Sequence, residues 1–278
     1  MPTGPVVVCV LSHRDPAQVR RLVSRIVEGT GSVALVHHDP QGPALRLPRD
    51  DAVLTVPDPV HCAWGRLSFA QTMLRVIDVA LDRVPDLSWV LLVSGQDYPC
   101  RPMRDIESAL RNSEVDAYLR WFEVGPPSDD VVAWQAVTRA RYLRRLRLPF
   151  SRRHVPFPRR APFRDGTSLF IGDTWPNLGA AAVAHLREQA VLRSRVEPYL
   201  RWCASPDEAL LPTLLLNGAS HLKILNDRRR YLRWTTGSWH PEVLDGRDLP
   251  AIRESDAFFA RKVDPLASRE LLDALDAA

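Results

Sequence analysis

Two unbroken apolar runs anchor the chain. Val6 to Leu11 and Trp89 to Val93 hold no polar residue, as parallel strands buried on both faces of a sheet require. Between them the pattern changes period. Asp15 predicts an N-cap with Pro16 at the first helical position, and Val19, Leu22, Val23 and Ile26 then fall on one helical face. Ser32 to His37 predicts a second strand ending in His38-Asp39-Pro40, and Val53 to Val56 a short third one. After Ala63-Trp64-Gly65, the residues Leu67, Ala70, Leu74, Ile77, Leu81 and Val84 recur at the spacing of an amphipathic helix. Beyond Val93, Pro102 to Leu110 reads as a helix and Asp116 to Phe122 as a strand. The order β-α-β-β-α-β-α-β predicts a doubly wound α/β sheet that binds a nucleotide at its carboxyl edge.

The second half is less regular. Pro126 to Arg164 contains one predicted helix, Val132 to Leu146, and a loop rich in Pro and Arg, with few apolar residues to pack and so an expectation of mobility. Order returns at Gly166 to Ile171, then a helix over Leu178 to Gln189, then Ser205-Pro206-Asp207-Glu208 opening a helix to Leu216. There is no internal repeat.

Composition narrows the class without choosing a reaction. With 278 residues, 45% hydrophobic and 25% charged, the chain suits a globular domain, and no run approaches the roughly 18 apolar residues that span a bilayer. Met1-Pro2-Thr3-Gly4-Pro5 lacks a basic n-region, and Cys9, Cys62, Cys100 and Cys203 form no paired motif for zinc or redox exchange. The expectation is a cytoplasmic protein with reduced thiols, either free or peripheral at the inner membrane. Net charge is +4, and of 37 basic residues only Lys223 and Lys262 are lysine. Ten arginines and no acid lie between Asp130 and Asp165. That stretch, residues 139–164, is either a flexible surface loop in an arginine-biased protein or a contact for an anionic or membrane-linked acceptor. Nucleic acid is not expected, because no reader motif accompanies the charge.

Candidate chemistry gathers at two polar turns. Ser94-Gly95-Gln96-Asp97-Tyr98-Pro99 closes the second apolar run, where ligands collect in open parallel sheets, although Gly, Asp and Pro also make ordinary turns. Ser205-Pro206-Asp207-Glu208 fits a capping box, in which the serine and the glutamate satisfy free backbone amides.

Five segments in order carry a family resemblance: Ala63-Trp64-Gly65, Ser94 to Pro99, Ser205 to Glu208, Arg230-Tyr231-Leu232-Arg233-Trp234 and Phe259-Ala260-Arg261-Lys262-Val263-Asp264. The set resembles glycosyltransferase family 14, the Core 2/I branching β-1,6-N-acetylglucosaminyltransferases and peptide O-xylosyltransferases. The resemblance implies a single GT-A domain over 1–278 with a Rossmann-like, doubly wound mixed sheet. Within it, 1–125 would form the nucleotide-binding half, 126–165 a variable acceptor-side segment, and 166–278 the catalytic and diphosphate-binding half. It also implies a UDP-sugar donor, inversion at the anomeric carbon, and no cofactor or divalent metal.

Roles follow residue by residue. Glu208 matches the family's catalytic base, and Arg230 and Lys262 match cations that offset the diphosphate charge in place of a metal. Val10, His13, Asp39, Trp64 and Asp97 are expected on the donor side; Trp121, Glu123 and Trp239 are expected to line the acceptor. Compared with animal members the chain is short, and the expectation is a protein without their anchor and stem, which would favour a bacterial acceptor: small molecule, polysaccharide or peptide. The alternative is a degenerate fold that senses nucleotide sugar without turnover.

Overall fold

The computed structural model describes residues 4–63, 65–124, 138, 140–148, 153–157, 163, 166–235, 237–238 and 240–277. Both apolar runs are central strands: β1 (Val6–Ser12) and β4 (Trp89–Ser94) pair in parallel and every residue in them is buried. Around them, β2 (Val33–His38) and β3 (Val53–Thr55) extend one side, and β11 (Asn177–Gly179), β6 (Ala117–Tyr118) and β12 (Ile224–Leu225) the other. The sheet runs β12-β6-β11-β4-β1-β2-β3, and β11 is antiparallel to both its neighbours. The doubly wound mixed α/β sheet read from the sequence is therefore present.

The two-residue alternation of a strand divides the core. Val7, Cys9 and Leu11 face helix α2 (Leu67–Arg83), α4 (Ala180–Glu188), α5 (Ala190–Leu200) and α6 (Leu210–Leu216). Val6, Val8 and Val10 face α1 (Pro16–Val27), α3 (Met103–Arg111) and the C-terminal helix α7 (Arg269–Asp276). Among the described residues no helix is long and apolar enough to cross a membrane.

Three details differ from the sequence expectation. Asp116 to Phe122 is not one strand but β6 followed by β7 (Trp121–Glu123), which leaves the main sheet to pair with β10 (Phe170–Gly172). The helix expected over Leu178 to Gln189 begins at Ala180, because Asn177 to Gly179 first inserts as β11 between β4 and β6. Gly179 is required there: a Cβ would lie 2.9 Å from the Asp116 carbonyl oxygen. The expected helix after Ser205 is a 3-10 turn, Pro206–Glu208, followed by the shorter α6.

A second small sheet covers the carboxyl edge. In it β14 (Phe259–Arg261) lies between β13 (Arg230–Leu232) and β5 (Asp97–Pro99), with Arg261 opposite Asp97. Sequence segments more than 130 residues apart thus converge on the Ser94 turn. The expected Val132 to Leu146 helix falls largely outside the described residues. Its end is helical at 140–143 and leads into the hairpin β8 (Arg145–Arg147) and β9 (His154–Pro156).

Candidate active site

The carboxyl edge of the sheet holds three chemically distinct regions in a row. The first is a cleft of about 360 Å³ at the ends of β2 and β3, lined by His38, Asp39, Pro43, Leu45 and Thr55 among others. Asp39 organises this end. Its backbone N–H donates to the Ser12 carbonyl, and its carboxylate accepts from the N–H groups of Gln41 (2.9 Å) and Cys62 (2.8 Å) and pairs with His61 (3.0 Å). Burial alone would raise its pKa, but these partners hold it below the ordinary carboxylate value. Gly42 seals the loop, because a Cβ there would come within 2.5 Å of the His13 carbonyl oxygen.

The second region is cationic. Arg261 and Lys262 leave β14 beside Arg14, at the end of β1, and burial together with Arg261 and Arg14 lowers the Lys262 pKa while Asp97 opposes the shift. The His240 pKa is also lowered, by burial and then by Lys262 and Arg261. Arg14 is paired with Asp15 at 3.1 Å, and a bound anion would further offset the repulsion among the three cations. Arg261 is fixed by Asp97 (3.1 Å), by the Ser94 hydroxyl and by the Trp175 ring, 5.2 Å away.

The third region is acidic. Glu208 ends the 3-10 turn, and its pKa is raised to about 7 by burial and by Asp207, with Arg141 at 3.8 Å pulling the other way. The side chain is 39% exposed, so the carboxylate is recessed yet open to a partner from solution. Asp207 beneath it is raised to about 6 by burial and accepts a bond from the Thr174 hydroxyl at 3.3 Å. The capping box does not form. Ser205 sits in the left-handed region at φ 49° with no side-chain cap bond, so the Glu208 carboxylate is not spent on a backbone amide.

The tripeptide Asp173-Thr174-Trp175 joins the second region to the third. Thr174 touches Asp207 and Trp175 stacks on Arg261, while Asp173 pairs with Arg228 at 2.9 Å.

Several expected site residues hold other positions. Arg230 adjoins the cationic region, sharing Asp97 with Arg261, but is buried. Its Nε lies 2.8 Å from Asp97, its remaining nitrogens donate to the Trp175 and Leu92 carbonyls, and its side chain is 3% exposed. The alternation of β13 sends it under the small sheet, and neighbouring Arg228 and Arg229 pair with Asp173 and Asp227. Asp97 is likewise completely buried and belongs to the turn, accepting from the Ser94 N–H at 2.7 Å. Val10 is a core side chain on the α1 face. His13 is exposed beside Arg14, Trp121 packs edge-on against Phe170, and Glu123 is exposed on the same ribbon. That ribbon packs on α6, which Glu208 precedes. Trp64 and Trp239 lie outside the described residues. The residues that local reading missed are Arg14 and Arg261, whose one signal was adjacency to His13 and to Lys262.

Residues 35–253 match the family described as Core-2/I-Branching enzyme. The chain belongs to that family. As a Core-2/I-branching enzyme it is a glycosyltransferase, and its seven-stranded mixed sheet is the mixed α/β sheet expected from the sequence. No curated protein matches the chain. Among solved structures it is similar to a glycosyltransferase involved in the glycosylation of the major capsid of PBCV-1. The identity is 11% and the TM-score 0.43, over 99% of this chain and 100% of that one.

Proposed function

We propose that this glycosyltransferase moves N-acetylglucosamine or xylose from a UDP-sugar to a hydroxyl of a glycan, small-molecule or peptide acceptor, with inversion and without a divalent metal. The observation that carries the reading is the row of cleft, cations and carboxylate along one sheet edge. From β2 to β11 is three strand spacings, about 14 Å, which an extended nucleotide sugar can bridge. The uracil and ribose would take the Asp39 cleft and the diphosphate the Arg14, Arg261 and Lys262 cluster. Glu208 removes the acceptor proton as the acceptor oxygen bonds to the anomeric carbon. The bond from that carbon to the diphosphate breaks, and UDP leaves with the electron pair. The three cations neutralise the charge that develops on the leaving oxygens.

A thermal-shift series with UDP, UDP-N-acetylglucosamine, UDP-xylose and GDP, with and without EDTA, tests the donor side. A uridine ligand at a hundred times its Kd is expected to add about 2.7 kcal/mol of apparent stability, unchanged by EDTA. Lys262→Ala should shrink that shift. Loss of the shift in EDTA overturns metal independence, and a silent UDP series overturns the donor.

A second test concerns Arg141. Asp207 and Asp173 raise the Glu208 pKa and Arg141 lowers it. Arg141→Gln is therefore expected to move the acid limb of kcat/KM to higher pH, by up to about one unit. A limb that stays in place would dissociate the arginine from the base.

A further inference from the structure

We infer that the head of α1 is a phosphate site completed by the side-chain amide of Gln18, and that it seats the donor's diphosphate beside Arg14 and Lys262. The helix leaves its first donors open. Asp15 stands at the N-cap but makes no cap bond, and its carboxylate pairs instead with Arg14 at 3.1 Å. Pro16 has no N–H, and those of Ala17 and Gln18 have no partner among the described residues; the first one used is that of Val19, which donates to the Asp15 carbonyl at 3.1 Å. Twelve residues of aligned peptide dipoles concentrate positive potential at this end.

An open helix end is not by itself a site; Gln18 makes it one. The residue is 2% exposed, and its amide nitrogen is enclosed without a hydrogen-bond partner among the described residues. A buried donor without an acceptor costs more than an apolar side chain of the same size. Side chains in a helix lean toward its N-terminus, so the amide of this third helical residue is directed at the open end; Arg21, one turn on, lies over the Tyr98 ring at 5.8 Å and marks this face as the one turned to β5. A phosphate oxygen at the head of α1 is the acceptor this donor lacks. Because the nitrogen is enclosed, binding turns the amide outward about the last side-chain torsion, a motion that breaks no hydrogen bond, since the side chain makes none.

The surroundings suit that anion and lie where the donor runs. Gly95 lets the first turn of α1 rest against the Ser94 turn, because a Cβ there would lie 3.1 Å from both the Val19 and the Ser12 side chains. The carbonyl of the next residue, Gln96, accepts the Val263 N–H at 2.9 Å and so ties the head of α1 to the strand end that carries Lys262. The Gln96 side-chain amide is partly exposed and makes no hydrogen bond, which leaves a second neutral donor at the same place. The nearby acids are engaged: Asp15 with Arg14, and Asp264 with the N–H groups of Leu266 (2.9 Å) and Ala267 (3.0 Å). That the phosphate belongs to a nucleotide sugar rests on the function proposed above; the site itself does not.

Calorimetry on the intact protein with UDP, uridine and inorganic pyrophosphate tests it. Gln18→Leu should weaken UDP and pyrophosphate about tenfold or more, as loss of a hydrogen bond to a charged partner does, and leave uridine unchanged. The same variant without ligand should melt no lower than wild type, because leucine replaces a buried donor that has no partner. Gln18→Met, which keeps the stem and removes the donor, should behave alike. Undiminished binding of UDP and pyrophosphate by both variants overturns the inference, as does a fall of about 5 °C or more in both melting temperatures, which would give the amide a structural partner. A wild type silent toward UDP and pyrophosphate alike also overturns it. Pyrophosphate bound through Gln18 with no gain from uridine would leave the site standing and sink the donor reading; UDP bound equally by wild type and variants would do the reverse.

Discussion

Glu208→Gln is expected to cut sugar transfer by about a thousandfold, within the range that a positioned general base supplies, while the thermal shift produced by UDP stays unchanged. The amide keeps the size and polarity of the side chain and loses only the ability to take a proton. Because the base must be ionised and its pKa is raised to about 7, wild-type kcat/KM should climb with pH up to about 7 and then level. The variant's residual activity should lack that limb. A variant that retains wild-type turnover would remove Glu208 from the mechanism. A wild-type protein that binds UDP-sugars yet neither transfers nor hydrolyses them would support a sensor instead.

The same shift has a consequence for stability. Burial holds protons on Glu208 and Asp207 more tightly in the folded chain than in the unfolded one. Stability is therefore free of this cost below pH 4 and declines as pH rises through the interval up to about 7. Glutamine at 208 removes part of the cost. The inactive variant is expected to melt no lower than wild type at pH 8, as a site strained for function predicts.

Local pattern made the centre of the molecule legible and left its edge obscure. The apolar runs of β1 and β4 could only be buried strands, and the α2 periodicity could only be a helix on one face of them. The short strands were harder. Asn177 to Gly179 reads as the start of a helix because three residues show no period of their own; its neighbours in space decide. The Ser205 to Glu208 spacing suggests a capping box, but a left-handed Ser205 turns its side chain away from the task. Charge was the least legible property. Arg228, Arg229, Arg230 and Arg261 look alike in sequence, yet alternation along two strands buries Arg230 and leaves Arg261 beside Lys262. Arg14 joins them only because β1 and β14 end together, a juxtaposition across about 250 residues that no window along the chain contains.

The burial of Arg230 yields the second large effect. Arg230→Ala is expected to destabilise the fold by about 3–5 kcal/mol, a large share of what a domain has to lose. Asp97 is 0% exposed and would keep only Arg261 as a cationic partner, and the Trp175 and Leu92 carbonyls would each lose a donor. The melting temperature should fall by about 10 °C. Asp97→Ala should cost at least as much, because it leaves a buried guanidinium uncompensated. Lys262→Ala provides the contrast: a half-buried cation crowded by Arg261 and Arg14 should leave the melting temperature nearly unchanged while UDP binding weakens. If Arg230→Ala instead folds as stably as wild type and loses only the UDP shift, Arg230 is a ligand to the diphosphate after all, and the small sheet must open to admit it.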